Sequence, residues 1–426
     1  MRILVFSEFF LPLTGGGQVI LSEICSRLPA NETVVYTTYT GDTGWFDERQ
    51  DYRIIRSDVL SPLATRWPEL TEHQRETLTH RSFYGRWFAK SKFIRWLVYV
   101  RVILDMVRTA LRERPNIVFC GNTFWPAIAA RLHAYLRSTP YVVYHFGQEP
   151  LLILERGSVL QWVQRWALNG ASYLFTISQF SKEVLLKFEL DSNRIGIQFP
   201  GVSAVFLEAN DVDVNRVKLE LGLPDDAILL LTVGRLTERK GVDKVLSALP
   251  IVMAAFPNVH YLIAGSGQDE YRLRNLAAEL DVANRVRFLG DVPHDRLVRY
   301  YRACDLFILA NRASGCGDVE TFGIVFIEAN ACGKPVIGGR NGGTADAIDD
   351  GRSGLLVNPN DENDIADAIR RVLRDRDYAA ALGEYGRKRA HERFNWDRNA
   401  ADVYRVLRAV SQHGHDGAGL SSQSIS

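Results

Sequence analysis

The sequence predicts an α/β protein made of two doubly wound domains, each with a parallel sheet between two layers of helices. Short apolar runs rich in β-branched residues alternate with longer helical patterns along the 426 residues. Most of these runs are continuously apolar, which is typical of strands covered by helices on both faces. Hydrophobic residues make up 46% of the chain, which is enough for two separate cores.

The predicted strands fall into two groups. In the first half of the chain they are 3–6, 33–37, 117–120, 141–145, 173–177 and 195–199. In the second half they are 228–233, 259–264, 286–289, 306–309, 335–338 and 354–357. Helix-period apolar spacing between them predicts helices such as 240–256, 269–280 and 365–374.

The boundary between the domains is predicted near Pro200 and Gly201, followed by a polar connector at 208–214. The first domain is therefore 1–200 and the second 201–395. A last helical pattern at 396–411 is assigned to the first domain. Residues 412–426 are rich in Gly, Ser and His and are predicted to be disordered.

The charges and cysteines exclude several classes of protein. Lys and Arg number 51 and Asp and Glu 50, so nothing global indicates binding to nucleic acid. The five cysteines are scattered and contain no Cys-x-x-Cys pair, which argues against a disulfide framework or a structural zinc site. We expect a protein of the reduced cytosol.

The loop after the strand 228–233 carries the first candidate site residues. Gly234 allows a tight turn, and Arg235 and Lys240 follow close to the start of a helix. Two cations near a helix N-terminus suit the diphosphate of a nucleotide. The alternative interpretation of this loop is a surface turn with solvated charges.

The loop after the strand 306–309 is more specific. Its segment 322–331 has helical spacing, which places Glu320 just before a helix and Glu328 nearly two turns inside it. The amides of Phe322, Gly323 and Ile324 would stand at the helix start. A carboxylate at Glu328 could accept hydrogen bonds from both hydroxyls of a ribose. The alternative is that Glu328 is an exposed helix residue.

These motifs together resemble family 4 of the retaining glycosyltransferases. The resemblance rests on Gly234-Arg235 with Lys240-Gly241, on two glutamates separated by seven residues, and on the segment 331–337. It implies the GT-B architecture, in which two Rossmann-like domains face each other and the C-terminal helix crosses back to the first domain. The stretch 318–343 resembles the mannosyltransferases that elaborate phosphatidylinositol and related lipid or sugar acceptors.

The resemblance also implies roles for individual residues of the second domain. Arg235 and Lys240 would bind the donor diphosphate, Glu328 the ribose, and Glu320 the hexose. The implied donor site consists of Gly16, Gly17, Gly234, Arg235, Lys240, Gly265, Val292, Glu320, Phe322, Gly323, Ile324 and Glu328. The chain departs from the family pattern at Asp346, where a glutamate is common, and the role of this acid is left open.

In the first domain the candidates would bind the acceptor. The glycine run before the first helix lets backbone amides approach a ligand closely, and in the family this loop approaches the donor phosphates and the acceptor. His145 ends a strand and begins a His-x-Gly-x-Glu segment that in the family faces the reaction centre. The acceptor residues are predicted to be Gly15, Gly16, His145, Glu149 and Ser178. A lone histidine at a strand end is otherwise more often structural.

The segment 81–114 mixes bases with aromatic residues. It could be an interfacial helix on anionic lipid, or a core helix whose bases snorkel to the surface. The first interpretation would place the protein peripherally on the inner face of the membrane.

The resemblance implies a transfer that retains the anomeric configuration, with Arg235, Lys240, Glu320 and His145 as the catalytic set and no protein general base. No Asp-x-Asp motif follows a strand, and Asp211 and Asp213 lie in the presumed connector, so we expect the transfer to be metal-independent. We expect no cofactor beyond the substrate, with GDP-mannose favoured over a UDP-hexose. The alternatives are a nucleotide-sugar epimerase or phosphorylase, or a non-catalytic nucleotide-binding module.

Overall fold

The computed structural model describes residues 1–13, 15–39, 41, 43–60, 92–147, 158–208, 212–314 and 318–413. The chain divides into two compact units. The first is Met1–Phe199 together with the segment from Trp396, and the second is Pro200–Asn395. Each unit contains a parallel sheet flanked by helices, so the predicted α/β class is confirmed.

The sheet of the first unit has seven strands in the order β3-β2-β1-β4-β5-β6-β7. Every neighbouring pair is parallel. The strands are β1 (Ile3–Phe6), β2 (Thr33–Thr38), β3 (Arg53–Ser57), β4 (Ile117–Cys120), β5 (Tyr141–His145), β6 (Tyr173–Thr176) and β7 (Ile195–Ile197).

Helices cover this sheet. They are α1 (Gly16–Cys25), α2 (Gly44–Asp47), α3 (Lys92–Glu113), α4 (Trp125–Arg137), α5 (Ser158–Asn169) and α6 (Gln179–Leu186), with short 3₁₀ turns at Asp58–Leu60 and Ser192–Arg194. The C-terminal helix, which we label α16 (Trp396–His413), packs against α1. Asn399 of α16 accepts a hydrogen bond from Gln198 at 2.8 Å and donates one to the carbonyl of Phe199 at 2.5 Å.

The sheet of the second unit has six parallel strands in the order β10-β9-β8-β11-β12-β13. They are β8 (Ile228–Val233), β9 (Val259–Ala264), β10 (Val286–Gly290), β11 (Leu306–Leu309), β12 (Val336–Gly339) and β13 (Gly354–Val357). The helices are α7 (Ala204–Leu207), α8 (Val214–Glu220), α9 (Val242–Met253), α10 (Glu270–Glu279), α11 (His294–Ala303), α12 (Ile324–Ala331), α13 (Thr344–Ala347), α14 (Glu362–Arg374) and α15 (Arg376–Arg393), with 3₁₀ turns at Glu238–Lys240 and Ala283–Arg285.

Four sequence predictions need correction. The strand β3 was not predicted, because its two arginines break the continuous apolar pattern at the edge of the sheet. The helix α1 begins at Gly16 instead of near Gln18. The helix α12 begins at Ile324, so Glu328 lies little more than one turn inside it. Gln412 and His413 continue α16, and residues 414–426 of the predicted disordered tail lie outside the described residues.

Both sheets change winding direction beside their first strand. In the first unit the chain crosses from β3 at one edge to β4 on the other side of β1, and in the second from β10 to β11 on the other side of β8. The carboxyl ends of the strands on either side of such a switch point leave a crevice, where ligands of open α/β sheets bind. The loops after β8 and β11 lie at this switch point, which is therefore the expected position of a ligand site in the second unit.

Candidate functional site

The loops after β8 and β11 are in direct backbone contact. Gly241 has a φ of 65°, and a Cβ there would stand 1.8 Å from the carbonyl oxygen of Ala310. Only glycine tolerates both the left-handed conformation and this approach. Arg312 strengthens the same junction, because its N–H donates to the carbonyl of Arg239 at 2.8 Å. Its guanidinium donates two hydrogen bonds of 2.9 Å to the carboxylate of Asp243 at the start of α9.

An ion cluster lies at this junction. Lys240 Nζ is 2.5 Å from Glu320 Oε2, and Arg239 Nη1 is 3.0 Å from the same oxygen. Arg239 also reaches Asp318 Oδ2 at 3.1 Å through its Nε. The side chains of Lys240 and Glu320 are each 11% exposed, so water screens this pair weakly. The two cations and two carboxylates balance each other in charge.

The cluster shifts the pKa values of its central pair. Burial alone would raise the pKa of Glu320, but the charges of Lys240 and Arg239 outweigh it and hold the pKa at about 2. Burial lowers the pKa of Lys240, although Glu320 opposes this shift. For this coupled pair the direction at Glu320 follows from two cations on one oxygen, so the carboxylate is ionised at neutral pH.

Gly234 and Gly323 bring backbone to the cluster from both sides. Gly234 directly follows β8, and a Cβ there would be 3.5 Å from Lys240 Cε. Gly323 caps α12 with a φ of 91°, and its Cβ would collide with the ring of Phe326 and approach Glu320 Cγ. The start of α12 and its amides at Gly323 and Ile324 therefore lie directly beside Glu320.

The glycines that follow β12 hold the backbone of Glu320. The N–H of Gly343 donates to the Glu320 carbonyl at 2.8 Å. Gly342 has a φ of 55°, and a Cβ there would be 2.1 Å from the same carbonyl oxygen. Asp346 lies in α13, where its own carbonyl accepts from Arg389 at 2.6 Å.

Glu328 is a buried residue with an exposure of 7%, so the alternative of an exposed helix residue is wrong. Its Oε2 accepts a hydrogen bond of 2.8 Å from the hydroxyl of Tyr301, which is fully buried in α11. Its Oε1 is 3.5 Å from Nε2 of His294, a half-exposed side chain at the start of α11. Phe206 packs edge-on against both rings, with centroids 5.0 Å from His294 and 5.4 Å from Tyr301.

The loop after β9 completes the edge of the second sheet. Gly265 has a φ of 137°, and a Cβ there would stand 2.1 Å from the carbonyl oxygen of Gly234. Leu236 donates from its N–H to the carbonyl of Ser266 at 2.7 Å. Val292 is half-buried in the short loop between β10 and α11. Arg235 is half-buried directly after Gly234, and Phe322 is buried directly before Gly323.

In the first unit the glycine loop and the end of β5 meet. A Cβ on Gly17 would lie 3.0 Å from the ring of Phe146, which follows His145. Gly15 caps α1, and Gly16 has open space where a side chain would be. The loops after β1 and β5 therefore share one corner at the carboxyl end of the sheet.

His145 is fully buried at that corner. The N–H of Gly147 donates to its Nδ1 at 3.3 Å, which assigns the ring proton to Nε2. Within the described part of the chain, no group lies within hydrogen-bonding distance of this Nε2. Burial lowers the pKa of His145 to about 3, so the ring is neutral at physiological pH. A buried N–H donor without a protein acceptor is a feature that a ligand can satisfy.

Two other predicted acceptor residues have different outcomes. The hydroxyl of Ser178 caps α6, accepting from the N–H of Ser181 at 3.0 Å, and lies 2.7 Å from the Ser181 hydroxyl. This cap is a structural role for the serine, and its predicted role in acceptor binding stays a prediction. Glu149 lies outside the described residues, as do Asp211 and residues 81–91 of the predicted interfacial segment.

Asp213 caps the helix α8 by accepting from the N–H of Arg216 at 3.0 Å. The residues that the structure describes contain no group of three or more His, Cys, Asp or Glu placed to hold a metal ion.

Sequence reasoning missed Arg239, Tyr301, His294 and the Arg312–Asp243 bridge. Arg239 stands beside Lys240 in the quoted motif, so two adjacent bases were a signal that both could reach the site. The other residues gave no local signal, because their partners lie between 27 and 69 positions away in the sequence.

Comparison with known protein families follows the same division of the chain. Residues 14–205 match the family Glycosyltransferase Family 4. Residues 213–389 match the family Glycosyl transferases group 1. The first match contains the glycine loop and His145, and the second contains the whole ion cluster and Glu328.

Curated relatives carry related names. A D-inositol 3-phosphate glycosyltransferase of Corynebacterium jeikeium is 35% identical over 257 residues, which is 58% of this chain and 60% of the relative. A GDP-mannose-dependent monoacylated alpha-(1-6)-phosphatidylinositol monomannoside mannosyltransferase of Corynebacterium glutamicum is 36% identical over 205 residues, covering 48% and 53%. The alignments therefore span little more than half the length of these relatives.

Solved structures show the same fold across the chain. Anabaena HepE in complex with UDP superposes with a TM-score of 0.75 at 19% identity, covering 96% of this chain and all of the other. Sucrose-phosphate synthase of Thermosynechococcus elongatus gives 0.72 at 22% identity, covering 96% and 98%.

The fold is thus that of the GT-B glycosyltransferases. The chain itself belongs to the group 1 and family 4 glycosyltransferases, with both family domains present in order. None of the described helices combines the length and the apolar character needed to cross a bilayer.

Proposed function

We propose that the protein transfers a hexose from a nucleotide diphosphate sugar to a lipid-linked or saccharide acceptor and retains the anomeric configuration. The observation that carries the proposal is the buried contact between Lys240 and Glu320 beside the start of α12. It brings together a cation for a diphosphate, a carboxylate for sugar hydroxyls and the N-terminal amides of a helix at one edge of the sheet.

The donor diphosphate would bind between the loop after β8 and the start of α12. Arg239 and Lys240 are already balanced by Asp318 and Glu320, so the added negative charge has to be met by other groups. Arg235 and the amides of Gly323 and Ile324 would supply that compensation. Lys240 would turn from Glu320 toward a phosphate oxygen, which frees the carboxylate to accept from the hexose.

The chemical step follows from this placement. As the glycosidic bond breaks, negative charge grows on the diphosphate and positive charge on the sugar ring. Once Lys240 has turned on donor binding, the cations and amides stabilise the leaving group without further reorganisation, and each such contact contributes about 10²–10³ in rate. In this scheme a phosphate oxygen takes the acceptor proton, so no protein base is needed, and the cations and amides on the diphosphate take the place of a metal ion. His145, in the proposed acceptor site of the first unit, would donate its neutral Nε2–H to the acceptor.

The donor is proposed to be GDP-mannose. The support comes from the relatives, since the enzymes of Corynebacterium glutamicum and Mycobacterium tuberculosis are described as GDP-mannose-dependent mannosyltransferases. HepE of Anabaena was solved with UDP-glucose, which makes a UDP-hexose the second candidate. Glu328 would bind the ribose of either nucleotide, while the loop from Gly290 to Pro293 would border the base.

A donor and acceptor panel tests the proposal. GDP-mannose and UDP-glucose are each incubated with a phosphatidylinositol mannoside and with D-inositol 3-phosphate, and the release of GDP or UDP is measured. We expect one pair to turn over, to stay active in EDTA, and to give a product whose one-bond C1–H1 coupling shows the same anomeric configuration as the donor. Inversion in the product or loss of activity with EDTA would remove the corresponding part of the proposal.

The same panel separates the other classes of function. An epimerase would change the donor sugar without an acceptor, and a phosphorylase would consume inorganic phosphate. Donor binding with no turnover on any acceptor would indicate a non-catalytic module.

We also propose contact with a membrane surface through 81–114. In its described part, the helix α3, Val98 and Val102 are buried in the core, whereas Trp96 is 58% and Leu104 50% exposed. Sedimentation with vesicles of phosphatidylcholine and 30% phosphatidylglycerol tests this. Trp96→Gln with Leu104→Gln should weaken binding, whereas Leu219→Gln, at a residue of the other unit that is 77% exposed, should not.

A further inference from the structure

The buried hydroxyl of Tyr301 contacts the carboxylate of Glu328, the group proposed to bind the ribose. Tyr301 donates to Glu328 Oε2 at 2.8 Å and is fully buried. Burial and the adjacent Glu328 charge raise the pKa of Tyr301 well above its ordinary value, so the hydroxyl keeps its proton and remains a donor.

The ring of Tyr301 cannot move easily. It stacks on Phe307 of β11 with centroids 5.5 Å apart, and Phe206 packs edge-on at 5.4 Å. Phe307 in turn packs against Phe326, which lies on the same helix as Glu328. The hydroxyl is thus fixed relative to α12, and so is the carboxylate oxygen that it contacts.

We propose that Tyr301 is a positioning residue that fixes the Glu328 carboxylate in the orientation that accepts both hydroxyls of the nucleotide ribose. The inference rests on the proposed function, because it deepens the role given there to Glu328. An ionised carboxylate has about four acceptor positions. Tyr301 occupies one of them on Oε2, which leaves Oε1 and the second position of Oε2 for a vicinal diol.

The His294 ring lies on the other side of the carboxylate, 3.5 Å from Oε1. Its side chain is 55% exposed, so a ribose hydroxyl can replace it on that oxygen. Tyr301 is buried and cannot be replaced in this way. Tyr301 is therefore a permanent partner of the Glu328 carboxylate, whereas His294 is one that a ligand can displace.

The test compares nucleotides with and without the diol. Binding of GDP and UDP, and of their 2′,3′-dideoxy forms, is measured by titration calorimetry on the native chain and on Tyr301→Phe. We expect Tyr301→Phe to weaken the tighter-binding ribonucleotide about tenfold, the change that one moderate hydrogen bond produces. The dideoxy form should bind both proteins equally. The inference would be overturned if Tyr301→Phe weakened the ribonucleotide and its dideoxy form equally, or if it weakened neither of them.

Two further variants separate positioning from general damage. Tyr300→Phe removes a hydroxyl from the neighbouring residue of α11, whose ring lies against Arg299, and should leave the binding of both nucleotides unchanged. In a Glu328→Gln background, Tyr301→Phe should produce no further loss for the ribonucleotide. An additional tenfold loss in that background would show that Tyr301 acts by another route.

Failure of the proposed donor site and failure of the inference about Tyr301 give different results. If neither GDP nor UDP binds the native chain, the donor site itself is wrong. If a ribonucleotide and its dideoxy form bind the native chain equally, the donor site stands and the inference about the ribose fails. In turnover assays Tyr301→Phe should raise the KM for the donor about tenfold and leave kcat within about twofold of the native value. The reason is that the ribose is remote from the bond that reacts.

Discussion

Lys240 Nζ lies 2.5 Å from Glu320 Oε2, and both side chains are 11% exposed. Residues that stand 80 positions apart in the sequence are thus joined in one buried ion pair at the switch point of the second sheet. Such a pair is costly to form, because both charges lose their hydration. Its position beside the start of α12 suggests a use for the lysine beyond stability.

The first prediction concerns rate. Lys240→Ala and Arg235→Ala should each lower kcat by at least about 10²-fold, because each removes a cation from the departing diphosphate. Turnover is measured with the donor and acceptor identified by the panel above. Lys244→Ala is the matched control, since Lys244 lies in the next turn and pairs with Glu362 at 3.8 Å, away from the cluster. Near-native turnover of Lys240→Ala would contradict the assignment.

The second prediction concerns acid stability. The folded pKa of Glu320, about 2, is below its ordinary value of 4.5, so its stabilising effect is complete above pH 4.5 and is lost as the pH falls toward 2. Glu320→Gln should therefore cost on the order of 3 kcal/mol at pH 6, and this difference should shrink below pH 4.5. Urea unfolding at pH 6, 4.5 and 3.5 measures it. A difference that does not change with pH would show that the carboxylate is not held ionised.

The third prediction concerns His145. Its folded pKa of about 3 lies below the ordinary value of 6.5, so the unfolded chain takes up a proton that the folded chain does not. Native stability should fall as the pH drops from 6.5 toward 3, by about 1.4 kcal/mol per pH unit from this group. His145→Gln should lack that part of the slope in urea titrations.

A related prediction is that His145 adds no inflection to the pH profile of activity. Because His145 stays neutral, its Nε2–H remains a donor throughout the range from pH 5.5 to 8. The kcat/KM profiles of the native enzyme and of His145→Gln should therefore run parallel, with the variant lower. An inflection near pH 6.5 in the native profile that the variant lacks would mean that the ring titrates.

The fourth prediction compares two glycines with the same backbone conformation. Gly241 and Gly222 have φ values of 65° and 63°, but only Gly241 faces the carbonyl of Ala310, whereas a Cβ at Gly222 meets nothing within 4 Å. Gly222→Ala should cost about 1 kcal/mol for the left-handed conformation alone. Gly241→Ala should cost more than about 3 kcal/mol, because a backbone atom has to move. Equal shifts in the thermal unfolding midpoint would contradict this account of the junction between the loops.

Much of the fold could be predicted from the sequence because parallel strands buried on both faces must be continuously apolar. Strands such as β8, β9 and β11 were predicted with their observed bounds for this reason. The exception is β3, which lies at the edge of its sheet. There Arg56 interrupts the apolar pattern and forms an ion pair with Asp47 at 2.7 Å. An edge strand has one free side and so tolerates charges that a central strand excludes.

The sequence by itself determined which loops combine a glycine turn, a base and the start of a helix, since a short stretch of chain fixes these features. Tertiary structure alone decided which partners meet. Lys240 and Arg239 share Glu320 because β8 and β11 are neighbours, and Tyr301 supports Glu328 because α11 and α12 pack together. Side-chain contacts depend on distances in space, and spacing along the chain leaves those distances open until the sheet order is known.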